Sequence, residues 1–103
     1  MSSFSEIHKK ITNFLNAIDE VCGDFNPTED PFDSLYEAGF ISYSNGNCML
    51  YISNDNMQTE LEFTGYIGNK NIYEETYPTD NKYPYDDNFK CFLKGLFQKF
   101  PSK

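Results

Sequence analysis

The stretch Phe40-Ile41-Ser42-Tyr43-Ser44-Asn45-Gly46-Asn47-Cys48-Met49-Leu50-Tyr51-Ile52 decides the fold. Apolar and polar residues alternate on both sides of Asn45-Gly46, a dipeptide that favours a tight hairpin turn. Pairing Ser44 with Asn47 sets Tyr43 against Cys48 and Ile41 against Leu50, so that with Ile52 one face is apolar throughout. A loop at Ser53-Asn54-Asp55-Asn56 would then place Met57 opposite Ile52, Thr59 opposite Leu50 and Leu61 opposite Cys48, which extends that face into a third strand. The other face would show Phe40, Ser42, Ser44, Asn47, Met49, Tyr51, Gln58, Glu60 and Glu62. Downstream, Gly65 suggests a bulge and Gly68-Asn69-Lys70-Asn71 a turn, returning Ile72 to Tyr77 as a fourth antiparallel strand.

Helices flank this sheet. Phe4, Ile7, Ile11, Phe14, Leu15, Ile18, Val21 and Cys22 form the stripe of an amphipathic helix over about 3–22. Ser3 followed by Glu6 reads as its capping box, and Gly23 as a left-handed close. Asp30-Pro31-Phe32-Asp33 offers an N-cap, a proline for the first turn and an acid for the positive end of the dipole, so a short helix should run to Ala38 and stop at Gly39. Phe89, Phe92, Leu93, Leu96, Phe97 and Phe100 form a second stripe over about 87–100, begun by Asp86 or Asp87 and ended before Pro101. The expected fold is therefore α+β: an N-terminal helix, a short second helix, an antiparallel sheet of three to four strands and a C-terminal helix, with the two longer helices on one side of the sheet.

At 103 residues the chain has room for one domain, 1–103. Hydrophobic residues at 39% and aromatics at 17% supply a core and argue against a disordered acidic tail. The charges near Glu6 and Lys9 interrupt any signal-like apolar run, and no segment approaches a membrane span, so a cytoplasmic protein is expected. Cys22, Cys48 and Cys91 are irregularly spaced and odd in number, which fits reduced thiols.

The net charge of −8 is unevenly placed. Residues 24–88 hold thirteen acids against Lys70 and Lys82, whereas residues 89–103 hold four lysines and no acid. No arginine is present, so the side chain best suited to bidentate phosphate and guanine contacts is missing and direct nucleic-acid binding is disfavoured. Lys90, Lys94, Lys99 and Lys103 can be explained by the negative end of the closing helix dipole.

Catalytic constellations are sparse. His8 is the single histidine, no Cys-x-x-Cys element is present, and the acids form no calcium loop, so neither a cofactor nor a metal is expected. Cys91 stands near Lys90 and Lys94, cations that favour a thiolate. A small enzyme using His8 or Cys91 is a third reading, behind the two binding readings below.

The remaining feature is a surface. From Tyr73 to Asp87 tyrosines alternate with acids and prolines, which suggests an exposed loop carrying Tyr73, Glu74, Glu75, Tyr77, Asp80, Tyr83, Tyr85, Asp86 and Asp87, with Tyr51, Glu60 and Glu62 added from the sheet. Tyrosine supplies rigid contact area, and carboxylates steer a basic partner. In size and acidity the chain resembles small immunity-type inhibitors as a class. The expectation is a non-enzymatic, monomeric or weakly dimeric protein that neutralises a basic partner such as a nuclease toxin. An acidic chaperone or adaptor for a secreted or assembled protein is the alternative.

Overall fold

A computed structural model of the chain describes residues 3–54, 60–79 and 83–100. The elements run α1 (Ser3–Val21), β1 (Asn26–Pro27), α2 (Pro31–Ala38), β2 (Phe40–Asn45), β3 (Cys48–Asn54), β4 (Glu60–Ile67), β5 (Lys70–Pro78) and α3 (Asp87–Phe97). The strands form one antiparallel sheet in the order β1-β2-β3-β4-β5. The α+β class is as expected, with five strands instead of three or four. The additional strand, β1, pairs Asn26 with Ser44 and Pro27 with Tyr43 and continues as Thr28 N–H donates to the Ser42 carbonyl at 3.0 Å. So short a segment, half of it proline, carries no alternation to read.

The helix ends follow local chemistry. The Asp30 carboxylate accepts from the N–H groups of Phe32 (3.0 Å) and Asp33 (3.2 Å), Pro31 occupies the first turn, and Gly39 closes α2 in the left-handed conformation. Asp86 caps α3 by accepting from Phe89 N–H at 3.0 Å. Beyond Phe97 the chain tightens into a turn, with Phe100 N–H donating to the Phe97 carbonyl at 3.2 Å, so α3 ends three residues before the expected limit. Gly23 does not take the left-handed conformation expected of it, and α1 ends without that device. The Ser3–Glu6 capping box depends on a side chain outside the described residues.

Both central registers differ from the expected ones by an even number of residues, so every described side chain keeps its face, while Met57, Gln58 and Thr59 lie outside the described residues. In the β2–β3 hairpin Asn45 pairs with Cys48 and Ile41 with Ile52, leaving Gly46-Asn47 as the loop. Gly46 takes its first position at φ 61°, and Gly68 does the same at φ 62° in the Gly68-Asn69 loop between β4 and β5. Glycine reaches this region without the steric penalty a side chain would bring. The two loops lie side by side, with Gly68 N–H donating to the Asn47 carbonyl at 2.8 Å.

Between β3 and β4, Ile52 pairs with Phe63 and Leu50 with Gly65. The expected loop at Ser53 is replaced by a longer β3, and residues 55–59 lie outside the described ones. The reason is Phe63. The expected register would have set it opposite Gly46, past the end of β3, whereas here it is fully buried, a gain of about 2 kcal/mol for a phenylalanine side chain.

The sheet's two faces differ sharply. Ile41, Tyr43, Leu50, Ile52, Leu61 and Phe63 are buried on one, where they meet Ile11, Phe14 and Ile18 of α1 and Phe89, Leu93 and Leu96 of α3. The opposite face has no fully buried side chain among its described residues. The bulge expected at Gly65 is present: Gly65 pairs with Tyr73 but Tyr66 with Asn71. A Cβ at Gly65 would lie 2.6 Å from the Tyr73 ring. Gly65→Ala should therefore lower the unfolding free energy by about 1–3 kcal/mol in urea titration through overpacking, whereas Gly95→Ala, where a Cβ meets open space, should not destabilise the protein.

Candidate functional site

β5 is where the expected surface divides. It runs to Pro78, so the fourth strand expected over Ile72 to Tyr77 is present and the Tyr73–Pro78 part of the expected exposed loop is strand instead. Its alternation turns Tyr73, Glu75 and Tyr77 toward the helices and Glu74, Thr76 and Pro78 away from them. Tyr73 is 8% exposed, and the Phe100 ring packs edge-on against it at 5.6 Å. Tyr77 lies 5.3 Å from Phe89 and 4.9 Å from Phe92. Tyr83 is 7% exposed with its ring 5.9 Å from Phe14. Tyr73, Tyr77 and Tyr83 are thus packing residues in place of the contact anchors expected of them. Tyr85 is exposed, beside Asp86, whose carboxylate is engaged as the α3 cap, and Asp87 in the first turn. Asp80 lies outside the described residues.

The residues that do come together are on the uncovered sheet face. The pairing places Ser42, Tyr51, Thr64 and Glu74 in one row across β2, β3, β4 and β5, and Phe40, Ser53, Glu62 and Thr76 in the next. On the other side of the first row lie Ser44, Met49, Tyr66 and Asn71, while Glu60 pairs with Pro78 at the far end. An aromatic diagonal runs through these rows: Phe40 stacks on Tyr51 at 5.6 Å, and Tyr51 meets Tyr66 edge-on at 5.6 Å. A depression of about 220 Å³ opens between Met49, Tyr51, Tyr66 and the Gly68-Asn69 loop. On the same face, Glu60, Glu62 and Glu74 make no salt bridge with a described residue. Of the residues singled out from the sequence, Tyr51, Glu60, Glu62 and Glu74 fall on this face; Thr64 and Tyr66, not singled out, share it because they continue the two-residue period that begins at Glu60.

Among the described residues, lysines are kept from this face. Lys9 and Lys10 are on α1, Lys90 and Lys94 on α3, and Lys99 on the turn after it. Lys70 begins β5 on the helix side of the pairing. Lys90 bridges to Glu20 of α1 at 3.1 Å, a tie between helices rather than the dipole partner expected.

The residues considered for chemistry lie in the helical layer. His8 is exposed, with its ring 4.7 Å from Phe32. Cys91 is exposed on α3. Cys22 is buried at one end of the core, in the wall of a crevice of about 590 Å³ shared with Phe25, Cys48, Phe97 and Phe100. The phenylalanines there are committed to one another, Phe25 lying 4.9 Å from Phe97 and 5.2 Å from Phe100. Burial pushes the Cys22 thiol up to about 12, and the negative charge of Asp19 adds to the effect. Burial likewise raises the phenols of Tyr43 and Tyr73. No group of three or more His, Cys, Asp or Glu side chains placed to hold a metal ion occurs among the described residues. No described helix is long and apolar enough to cross a membrane.

Comparison with protein-family models, with curated proteins and with solved structures finds no match, so the reading of this face rests on its own chemistry.

Tyr83→Ala should cost about 3 kcal/mol of stability by loss of a buried ring, whereas Tyr85→Ala should stay within about 0.5 kcal/mol; chemical denaturation distinguishes them. The Cys22 proton sets a second expectation. An unfolded thiol titrates near its ordinary 9.0 and the folded one at about 12. The folded chain therefore keeps a proton that the unfolded chain releases, and the stabilisation is complete below the lower value and lost as pH rises through the higher. The melting temperature should fall as pH rises above the ordinary thiol value, and Cys22→Ala should flatten that fall. A thiol reagent at neutral pH should label exposed Cys91 first and buried Cys22 last.

Proposed function

We propose that this chain is an immunity-type inhibitor of the cytoplasm that neutralises a basic protein, such as a nuclease toxin, by laying its uncovered sheet face across the partner's cationic groove. The observation that carries the reading is the separation of charge across the sheet. Glu60, Glu62 and Glu74 stand on one face beside Phe40, Met49, Tyr51 and Tyr66, with no described lysine among them. Half-buried aromatic rings give contact area at low entropy cost, and carboxylates steer a basic partner and screen out acidic ones. The chain's net charge of −8 adds a long-range attraction of the same sign. No catalytic step is assigned to the protein in this reading, since occlusion is sufficient.

A second reading is favoured by one feature, the outer edge of β5, which no other described strand covers. A chaperone or adaptor could add an extended segment there through main-chain hydrogen bonds. The two differ in salt dependence. An electrostatic lid associates more slowly as salt rises, whereas a strand added to an edge is less sensitive.

The test is capture from the native cell at low salt, elution on a salt gradient and assay of each released protein for nuclease activity with and without the chain. A basic nuclease that is silenced at one-to-one stoichiometry is the expected result, and a triple Glu60→Gln, Glu62→Gln, Glu74→Gln variant should associate on the order of tenfold more slowly. Capture that is unaffected by salt and by the triple variant would sink the proposal.

A further inference from the structure

Thr64 has an unusual set of neighbours. Along β4 it stands between Glu62 and Tyr66; across the sheet it pairs with Tyr51 on one side and Glu74 on the other. A short side chain is thus surrounded by two tyrosines and two carboxylates, with neighbours about 4.8 Å away across strands and about 7 Å along the strand. The tyrosines are fixed by each other, Tyr66 meeting Tyr51 edge-on at 5.6 Å, and Tyr51 is backed by Phe40. The depression formed by Met49, Tyr51 and Tyr66 lies on the same face, beyond the tyrosines toward the Gly68-Asn69 loop. Neither Glu62 nor Glu74 has a cation of its own among the described residues.

We infer that the floor at Thr64 is the seat for an arginine side chain of the protein partner, its guanidinium lying against Tyr51 and Tyr66 and donating to Glu62 and Glu74. The inference rests on the proposed inhibitor reading and adds the chemistry that the acidic face selects. Carboxylates alone attract lysine and arginine about equally by charge. The pairing of aromatic faces with carboxylates separates them, because a guanidinium is planar and weakly hydrated: it can stack on a ring while its edge makes forked hydrogen bonds to an acid. An ammonium group is compact and strongly hydrated, and gives up more water to enter the same seat. A cationic groove built to hold phosphates supplies arginines of this kind.

The experiment uses the full chain and two synthetic peptides of equal length and charge, one oligo-arginine and one oligo-lysine, titrated by calorimetry and by amide chemical shifts at low salt. The arginine peptide should bind about fivefold more tightly than the lysine peptide, with the largest shifts at Thr64, Tyr66 and Glu74. Tyr51→Leu and Tyr66→Leu should remove that preference while keeping the lysine peptide's affinity. Glu62→Gln with Glu74→Gln, both on exposed positions that leave the core intact, should weaken both peptides. Equal affinity of the wild-type chain for the two peptides, or an arginine preference that survives in the leucine variants or shifts residues elsewhere, overturns the arginine seat and leaves the acidic-face reading standing. Binding of neither peptide overturns both. Since the shift pattern is measured on the wild-type chain, the seat remains testable even if a leucine variant fails to fold.

Discussion

The Phe89 ring joins the two long helices to the sheet. It stacks on Phe14 of α1 at 5.6 Å, meets Tyr77 of β5 at 5.3 Å and lies 6.3 Å from Phe63 of β4, fully excluded from water. The same residue is the third of α3, where its N–H is held by the Asp86 carboxylate. The cap that starts the last helix and the ring that locks it to the sheet therefore act on one position. Aromatic pairs of this kind add to the area they bury, and here they draw α1, α3 and two strands to a common point.

That arrangement puts both long helices on one side. A sheet covered once must have one apolar and one mixed face. The covered face took the isoleucines, leucines, Phe63 and Tyr43 and, less expectedly, Tyr73. What was left for the other face was serine, threonine, glutamate and a few large side chains supported by their neighbours. The proposed binding surface is in this sense a consequence of the core, because each residue on it adjoins in sequence a residue that faces the helices.

Much of this was legible because alternation survives errors in register. The β2–β3 pairing and the β3–β4 pairing were each misplaced by an even number of residues, and each time Ile41, Tyr43, Leu50, Ile52, Leu61 and Phe63 remained on the same face. A shift by an odd number would have turned the acids inward, and burying unpaired carboxylates is far too costly to compete. The proline-bounded stretch after Tyr73 was harder. Pro78 suggested a loop, but at the end of an edge strand its missing N–H leaves no ladder bond unmade. Once that segment is strand, Tyr73 and Tyr77 must face the helices. Tyr83 was hard for another reason: an amphipathic ring fits a core or an interface equally well, and only the position of Phe14 tells which.

The sequence by itself determined the α+β class, the three helices with Asp30 and Gly39 bounding the second, and the two faces of the sheet. These are local properties, set by caps, by glycine and by a period of two or 3.6 residues. Only the tertiary structure decided the registers, the joining of β1 to the sheet edge, and which tyrosines are available to a partner. Those outcomes depend on contacts between residues far apart in the chain, such as Phe63 with Phe89 and Phe14 with Tyr83, and no local pattern specifies which of two faces a distant helix will cover.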